Sequence, residues 1–217
     1  MDRTERRSRS DHVLAGYASG PGATSRERDA ALARSESARM VILVEGISDL
    51  MALDAVAQRQ GRDLVQEGIV VLPVGGAHAF GRHLELLGDH QIGLRCLVDE
   101  AEEAIVRAAT TATAGVGGAT SPVGERIDMF VCVEDLEHEL IRAVTPSRVG
   151  AILEREADLG SFRILQKQPA WRDGDLVAQL RRFLGAGARR KLRYARLLAL
   201  ELELGDVPRP LAGALEV

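Results

Sequence analysis

Four short runs of apolar residues punctuate the first part of the chain: MVILV (40–44), GIVVLPV (68–74), QIGLRCLV (91–98) and IDMFVCV (127–133). Each has the length of a strand. Each is apolar at successive positions, not alternate ones, which predicts strands buried on both faces. Between them the pattern lengthens to that of helices. ISDLMALDAVAQRQG (47–61) carries Leu50, Met51, Leu53 and Ala57 at helical spacing and stops at Gly61. GGAHAFGRHLELLG (75–88) reads as a glycine-bearing turn into a short helix, a further helix follows the third strand to about 109, and EDLEHELIRAV (134–144) places Leu136, Leu140 and Ile141 on one face. Strands alternating with helices predict an α/β fold with a parallel sheet covered on both sides. The stretch TTATAGVGGATSPVG (110–124) is small, polar and glycine-rich and predicts a flexible loop.

The character changes after 145. Thr145-Pro146 predicts a helix start, with the helix running to about 159. Residues 159–175 read as irregular and hold Trp171, expected as a core anchor; helices are expected at 175–184 and about 188–203. Residues 1–37 show almost no apolar periodicity and predict a mobile or loosely helical leader. The expected organisation is a leader (1–37), an α/β domain (38–145) and a C-terminal helical region (146–217).

Composition adds two points. At 217 residues and 46% hydrophobic, with only 3% aromatic, the chain can build a core, and from aliphatic side chains. The net charge of −4 conceals a division: between 161 and 196 the basic residues are Arg163, Lys167, Arg172, Arg181, Arg182, Arg189, Arg190, Lys191, Arg193 and Arg196, against Asp173 and Asp175. The 146–217 region is therefore basic, and contact with nucleic acid is weighed evenly against a solvated helix face. Cys96 and Cys132 each lie in an expected strand with no C-x-x-C partner, which fits buried, reduced thiols. No apolar run approaches the ~18 residues of a membrane span. The N-terminus has no apolar h-region. A cytoplasmic location is expected.

Candidate chemistry sits at the strand ends. Glu45 follows the first strand, Asp99 ends the third, and Glu134, Asp135 and Glu137 follow the fourth. In parallel sheets ligands bind beyond the carboxyl ends of the strands. Asp49 lies in the first turn of a helix, where side chains point back towards the N-terminus and so towards Glu45. A single acid at a helix start is ordinarily explained by the macrodipole. Three strand ends doing so together point to a cation, and oxygen-only donors suit Mg²⁺ or Mn²⁺. Such ions activate water and stabilise phosphoryl transition states. His78 and His138 read as a half-exposed helix-start residue and a solvent-face residue. Neither a phosphate-binding G-x-x-x-x-G-K-[ST] nor a G-x-G-x-x-G occurs. Tyr17 and Tyr194, the two tyrosines, lie in the leader and among arginines, settings that do not suit a nucleophile.

VILVEGISDLMALDAV, VVLPVGGAH and LVDEAEE together resemble the TOPRIM domain, found in topoisomerases, DnaG-type primases and OLD-family (overcoming lysogenization defect) nucleases. The run FVCVEDLEHELIRAV is most similar to the C-terminal TOPRIM of OLD-family endonucleases, of a short actinobacterial standalone type, which share SFRILQKQPAW and RRKLRYARLL. The resemblance covers about 38–204 and implies a TOPRIM-like Rossmannoid sheet of about four mainly parallel strands. It implies that Glu45 and Asp49 match the Glu-Gly-x-x-acid motif and that Asp99 matches the first Asp of Asp-x-Asp. Asp135 and Glu137 match a downstream metal-binding pair, and Lys191 the basic residue that neutralises phosphate charge. Ala101 departs from the pattern in the place of the second Asp, where Glu102 or Glu103 is expected to substitute with longer reach. OLD proteins also carry an ATPase domain; with no phosphate-binding loop in this sequence, any ATPase would be a separate partner.

The expected function is a Mg²⁺- or Mn²⁺-dependent nuclease acting on nucleic acid, DNA first. Glu45, Asp49 and Lys191 are its expected catalytic residues. Glu45, Asp49, Asp99, Glu102, Glu103, Asp135 and Glu137 are expected as metal ligands, and Arg181, Arg182, Arg189, Arg190, Lys191 and Arg193 on nucleic acid. The alternative is a non-catalytic TOPRIM module that binds nucleic acid or a partner ATPase.

Overall fold

The computed structural model describes residues 12–18, 20–88, 92–115 and 127–216. Its sheet has four strands, β1 (Met40–Val44), β2 (Ile69–Pro73), β3 (Gly93–Asp99) and β4 (Ile127–Cys132). They lie in the order β2-β1-β3-β4 and every pairing is parallel. The chain leaves β1 for β2 on one side and returns for β3 on the other. The topological switch therefore falls between β1 and β3, where open α/β sheets place their ligands.

Uniform hydrophobicity has the expected cause. Ile42 and Val44 point into one core, shared with α2 (Ile47–Arg59), α5 (Leu136–Val144) and α9 (Ala188–Leu200). Val41 and Leu43 point into the other, shared with α3 (Phe80–Gly88) and α4 (Glu103–Gly115). At β1 both faces are buried from Val41 on, so neither set of alternating positions is polar; β4, at the sheet edge, is only partly buried and carries the exposed Asp128. Cys96 and Cys132 are buried free thiols; burial pushes Cys96 up to about 12, far from thiolate chemistry.

Three segments depart from expectation. Residues of the expected leader form α1 (Ala23–Ser35), which packs on β2 through a buried Ala31. Its contact face is alanine, too small to register as apolar periodicity. Residues 1–11 lie outside the described residues. Helix α4 continues to Gly115, taking the first part of the expected loop, and 116–126 lie outside the described residues. The expected irregular segment opens with α7 (Leu159–Gln166), and Trp171 is only partly buried in the turn that follows, not a core anchor. The remaining elements are α6 (Pro146–Arg155), α8 (Leu176–Leu184) and α10 (Arg209–Leu215). Among the described residues no helix is long and apolar enough to cross a membrane.

The final helix is held by arginines. Arg62 donates to the Leu215 carbonyl at 2.8 Å, and Arg95 reaches the carbonyls of Gly213 and Ala214 at 3.2 and 3.1 Å. Two guanidinium groups thus satisfy the last turn's orphan carbonyls.

Candidate active site

The carboxyl ends of β1 and β3 carry the site. Glu45 leaves β1 at the switch point. The turn is fixed by its carbonyl, which accepts N–H groups from Gly75 and Gly76 at 2.9 and 3.2 Å. Both glycines have positive φ, 89° and 112°, which a side chain would disfavour. Gly46 is extended at φ −147° and serves as the N-cap of α2. Its N–H donates to the Asp49 carboxylate at 2.8 Å. Asp49 is buried and held one helical turn from Glu45.

Asp99 ends β3 beside Cys132 of β4 and accepts the Leu136 N–H at 3.0 Å, which ties it to the start of α5. Glu102 follows in the 3₁₀ turn Glu100–Glu102. Oxygens from Glu45, Asp99 and Glu102 all lie within 4.8 Å of one another, the one such group among the described residues. The donor set is oxygen only, converging and partly buried, which fits a hard divalent cation.

The acids repel one another. Burial, then Asp49, Asp135 and Glu137, push the Asp99 carboxyl up to about 8, with Lys191 opposing. Burial raises Asp49 to about 7 against the pull of the Gly46 N–H and Lys191. Burial and Glu102 raise Glu45, and burial raises Glu137. A group of carboxylates in this state is short of positive charge.

Lys191 supplies part of it. Helices α9 and α2 pack side by side; Arg196 of α9 bonds Gln58 of α2 at 3.1 Å, and Arg59 of α2 bonds the Leu202 carbonyl at 3.0 Å. That register brings the first turn of α9 to the acids. Lys191 Nζ stands 3.5 Å from Glu137 Oε1. Burial alone would lower its pKa, but Glu137, Asp49 and Asp99 outweigh it and leave the ammonium raised.

The other candidates fall elsewhere. Glu103 forms an exposed pair with Arg107 on the next turn of α4, away from the group of three. Asp135 caps α5 through the His138 N–H at 2.7 Å and accepts Arg181 at 2.6 Å. Arg181 also pairs with Glu134, so its guanidinium is engaged with acids. Arg190 stacks over Phe183 with its guanidinium 4.1 Å from the ring centroid and bonds the Phe183 and Ala186 carbonyls. Arg193 is buried and paired with Asp158, which also accepts the Tyr194 hydroxyl at 2.9 Å. Arg182 and Arg189 are exposed.

A cleft of about 430 Å³ opens on the acids, lined by Thr24, Ser25, Arg28, Gly75, Gly76 and Lys191 besides the carboxylates. A second of about 660 Å³ adjoins it across Thr24, Ser25, Ser48 and Lys191 and extends to Arg189. Thr24, Ser25 and Arg28 belong to α1. Nothing in their sequence context pointed to the site.

Residues 38–100 match the family model described as the TOPRIM domain of overcoming lysogenization defect-like proteins. The chain carries an OLD-like TOPRIM domain. Solved structures extend the likeness past that segment. The C-terminal region of the Xanthomonas campestris pv. campestris OLD protein, in its mercury-phased structure, is 26% identical with a TM-score of 0.57, covering 82% of this chain and 92% of that one. The C-terminal region of the Burkholderia pseudomallei OLD protein shares the fold at 22% identity and a TM-score of 0.56, covering 82% and 94%. Comparison with curated protein sequences gives no match. The TOPRIM domain's matched segment contains Glu45, Asp49 and Asp99; Glu102, Asp135, Glu137 and Lys191 lie beyond it.

Proposed function

We propose that the protein is a metal-dependent nuclease that hydrolyses phosphodiester bonds, with DNA the first substrate to test. The observation that carries this reading is the convergence of Glu45, Asp99 and Glu102 within 4.8 Å at the switch point of a TOPRIM domain. These three side chains would hold Mg²⁺ or Mn²⁺, which supplies water activation and charge neutralisation at a phosphate. The chain's own groups do the rest. Lys191 stays protonated among its acids and offers positive charge to the phosphate as negative charge builds in the transition state. Asp49, held near neutrality at about 7, is suited to accept a proton in the physiological range. Arg182, exposed on α8, and Arg189, at the wall of the adjoining cleft, are the candidates to hold flanking phosphates.

One observation favours the second reading, a non-catalytic module that binds nucleic acid. Arg181 already engages Asp135 and Glu134, and Ala101 offers no ligand, so the edge holds fewer open carboxylates than its acid count suggests. The test is cleavage of supercoiled plasmid, single-stranded DNA and RNA with Mg²⁺, Mn²⁺ or EDTA. Metal-dependent cutting is expected, reduced roughly 10²–10³-fold by Asp99→Ala or Glu45→Ala, the order of loss when a group stabilising the transition state is removed. Binding without cutting, by folded protein and with every metal, would select the module.

A further inference from the structure

We infer that the acidic edge takes a single divalent cation, and that Arg181 and Lys191 occupy, by charge, the place of a second. The inference rests on the proposed cation at Glu45, Asp99 and Glu102.

The argument follows the oxygens. Beyond Asp99, the carboxylates that face it are Asp49, Asp135 and Glu137, with Glu134 at their margin. Asp49 is buried and gives Oδ2 to the Gly46 N–H at 2.8 Å. Asp135 has both oxygens in use: Oδ1 accepts the His138 N–H at 2.7 Å, and Oδ2 accepts two N–H groups of Arg181 at 3.2 and 2.6 Å. The same guanidinium bonds Glu134 Oε2, and Glu134 is held in the left-handed region at φ 60°, its N–H donating to Glu100 at 3.0 Å. Glu137 is buried, and its Oε1 has no hydrogen-bond partner; the charge it faces is Lys191 Nζ at 3.5 Å. Asp99 gives one oxygen to the Leu136 N–H. Among the described residues, Asp135 and Glu137 join no group of three convergent donors, whereas Glu45, Asp99 and Glu102 do.

A divalent ion beside Asp135 and Glu137 would have to sit against a guanidinium and an ammonium already paired there. Those cations repel a further positive charge at such separations, and they already hold the oxygens it would need. The sequence agrees, since Ala101 offers no ligand between Asp99 and Glu102. Arg181 is thus a positioning residue that pins the start of α5, and Lys191 is a charge paired with Glu137 at 3.5 Å.

The test is Mn²⁺ stoichiometry, read by titration calorimetry and by electron paramagnetic resonance of free Mn²⁺. The full chain is compared with Glu45→Gln, Arg181→Met, Lys191→Met and the double variant Arg181→Met/Lys191→Met, with circular dichroism to confirm folding. One ion per chain is expected in the unaltered protein, bound at least tenfold more weakly in Glu45→Gln. A second, weaker ion is expected in the double variant; should it fail to fold, the same ion is expected in at least one single variant. Two ions in the unaltered protein would overturn the inference and leave the nuclease reading standing. One ion in every folded variant would also overturn it, because the basic side chains would not be what excludes the second. No Mn²⁺ bound at all would overturn the inference together with the cation it rests on.

Discussion

Asp99 faces Asp49, Asp135 and Glu137 across a partly buried edge, and that crowding has a consequence for stability. Its carboxyl is raised from the ordinary 3.8 to about 8, and that of Asp49 from 3.8 to about 7. Between those values the folded state binds more protons than the unfolded chain, so stability falls as pH rises through the window. The metal-free protein is therefore expected to melt at a lower temperature at pH 8 than at pH 5.5. Mg²⁺ should raise the melting temperature more at pH 8, where the carboxylates are free to bind it. Asp99→Asn should flatten both trends, and thermal melts with EDTA or Mg²⁺ across the range check this. An unchanged pH slope in Asp99→Asn would remove Asp99 as its source. The positions of Glu45 and Asp99 were legible in the sequence because each terminates an apolar run. Glu103 was not separable from Glu102 there, since adjacent residues at a helix start diverge by the helical rotation. Only the structure shows which one turns to the acids and which to Arg107.

At the scale of elements, the site depends on helices that lie far along the chain from the strands. Lys191 meets Glu137 because α9 packs along α2, and α10 closes the same side of the sheet against β4. That last contact has no slack. A Cβ at Gly213 would sit 2.4 Å from Phe130 Cε1 and 2.7 Å from Cδ1. Gly213→Ala is expected to cost about 1–3 kcal/mol, the usual range for overpacking, read as a lower denaturation midpoint at unchanged m-value. A wild-type midpoint would mean that Phe130 moves aside freely. The strands and α2, α5 and α9 were legible from period and caps. Helix α1 was not, because a helix docked through alanine leaves no apolar stripe. Helix α7 was missed because Leu159, Phe162 and Leu165 were read together with the polar turn that follows them.

Over the whole molecule, the basic C-terminal half is less available than its composition suggests. Arg181 serves Glu134 and Asp135, Arg190 the end of α8, Arg193 Asp158, and Arg196 Tyr17 and Gln58. Composition counts charges but cannot tell an arginine that reaches solvent from one that pins a helix, because both lie at similar spacing on the same elements. The distinction is measurable. Arg193→Ala leaves the buried Asp158 with the Tyr194 hydroxyl alone, and removing one partner of a buried ion pair costs about 3–5 kcal/mol. Its effect should appear as a fall in stability, with the salt dependence of nucleic-acid binding unchanged in the fraction that stays folded. Arg182→Ala should do the reverse: stability holds, while the slope of log binding constant against log salt shrinks by about 0.9 if Arg182 meets one phosphate of duplex DNA. Fluorescence anisotropy with a labelled duplex at several salt concentrations, run beside thermal melts, separates the two. A reduced slope in Arg193→Ala at full stability would show that the Asp158 pair opens to release the guanidinium to the nucleic acid. The Arg193–Asp158 contact would then be a reserve of positive charge, not a fixed brace between α9 and the start of α7.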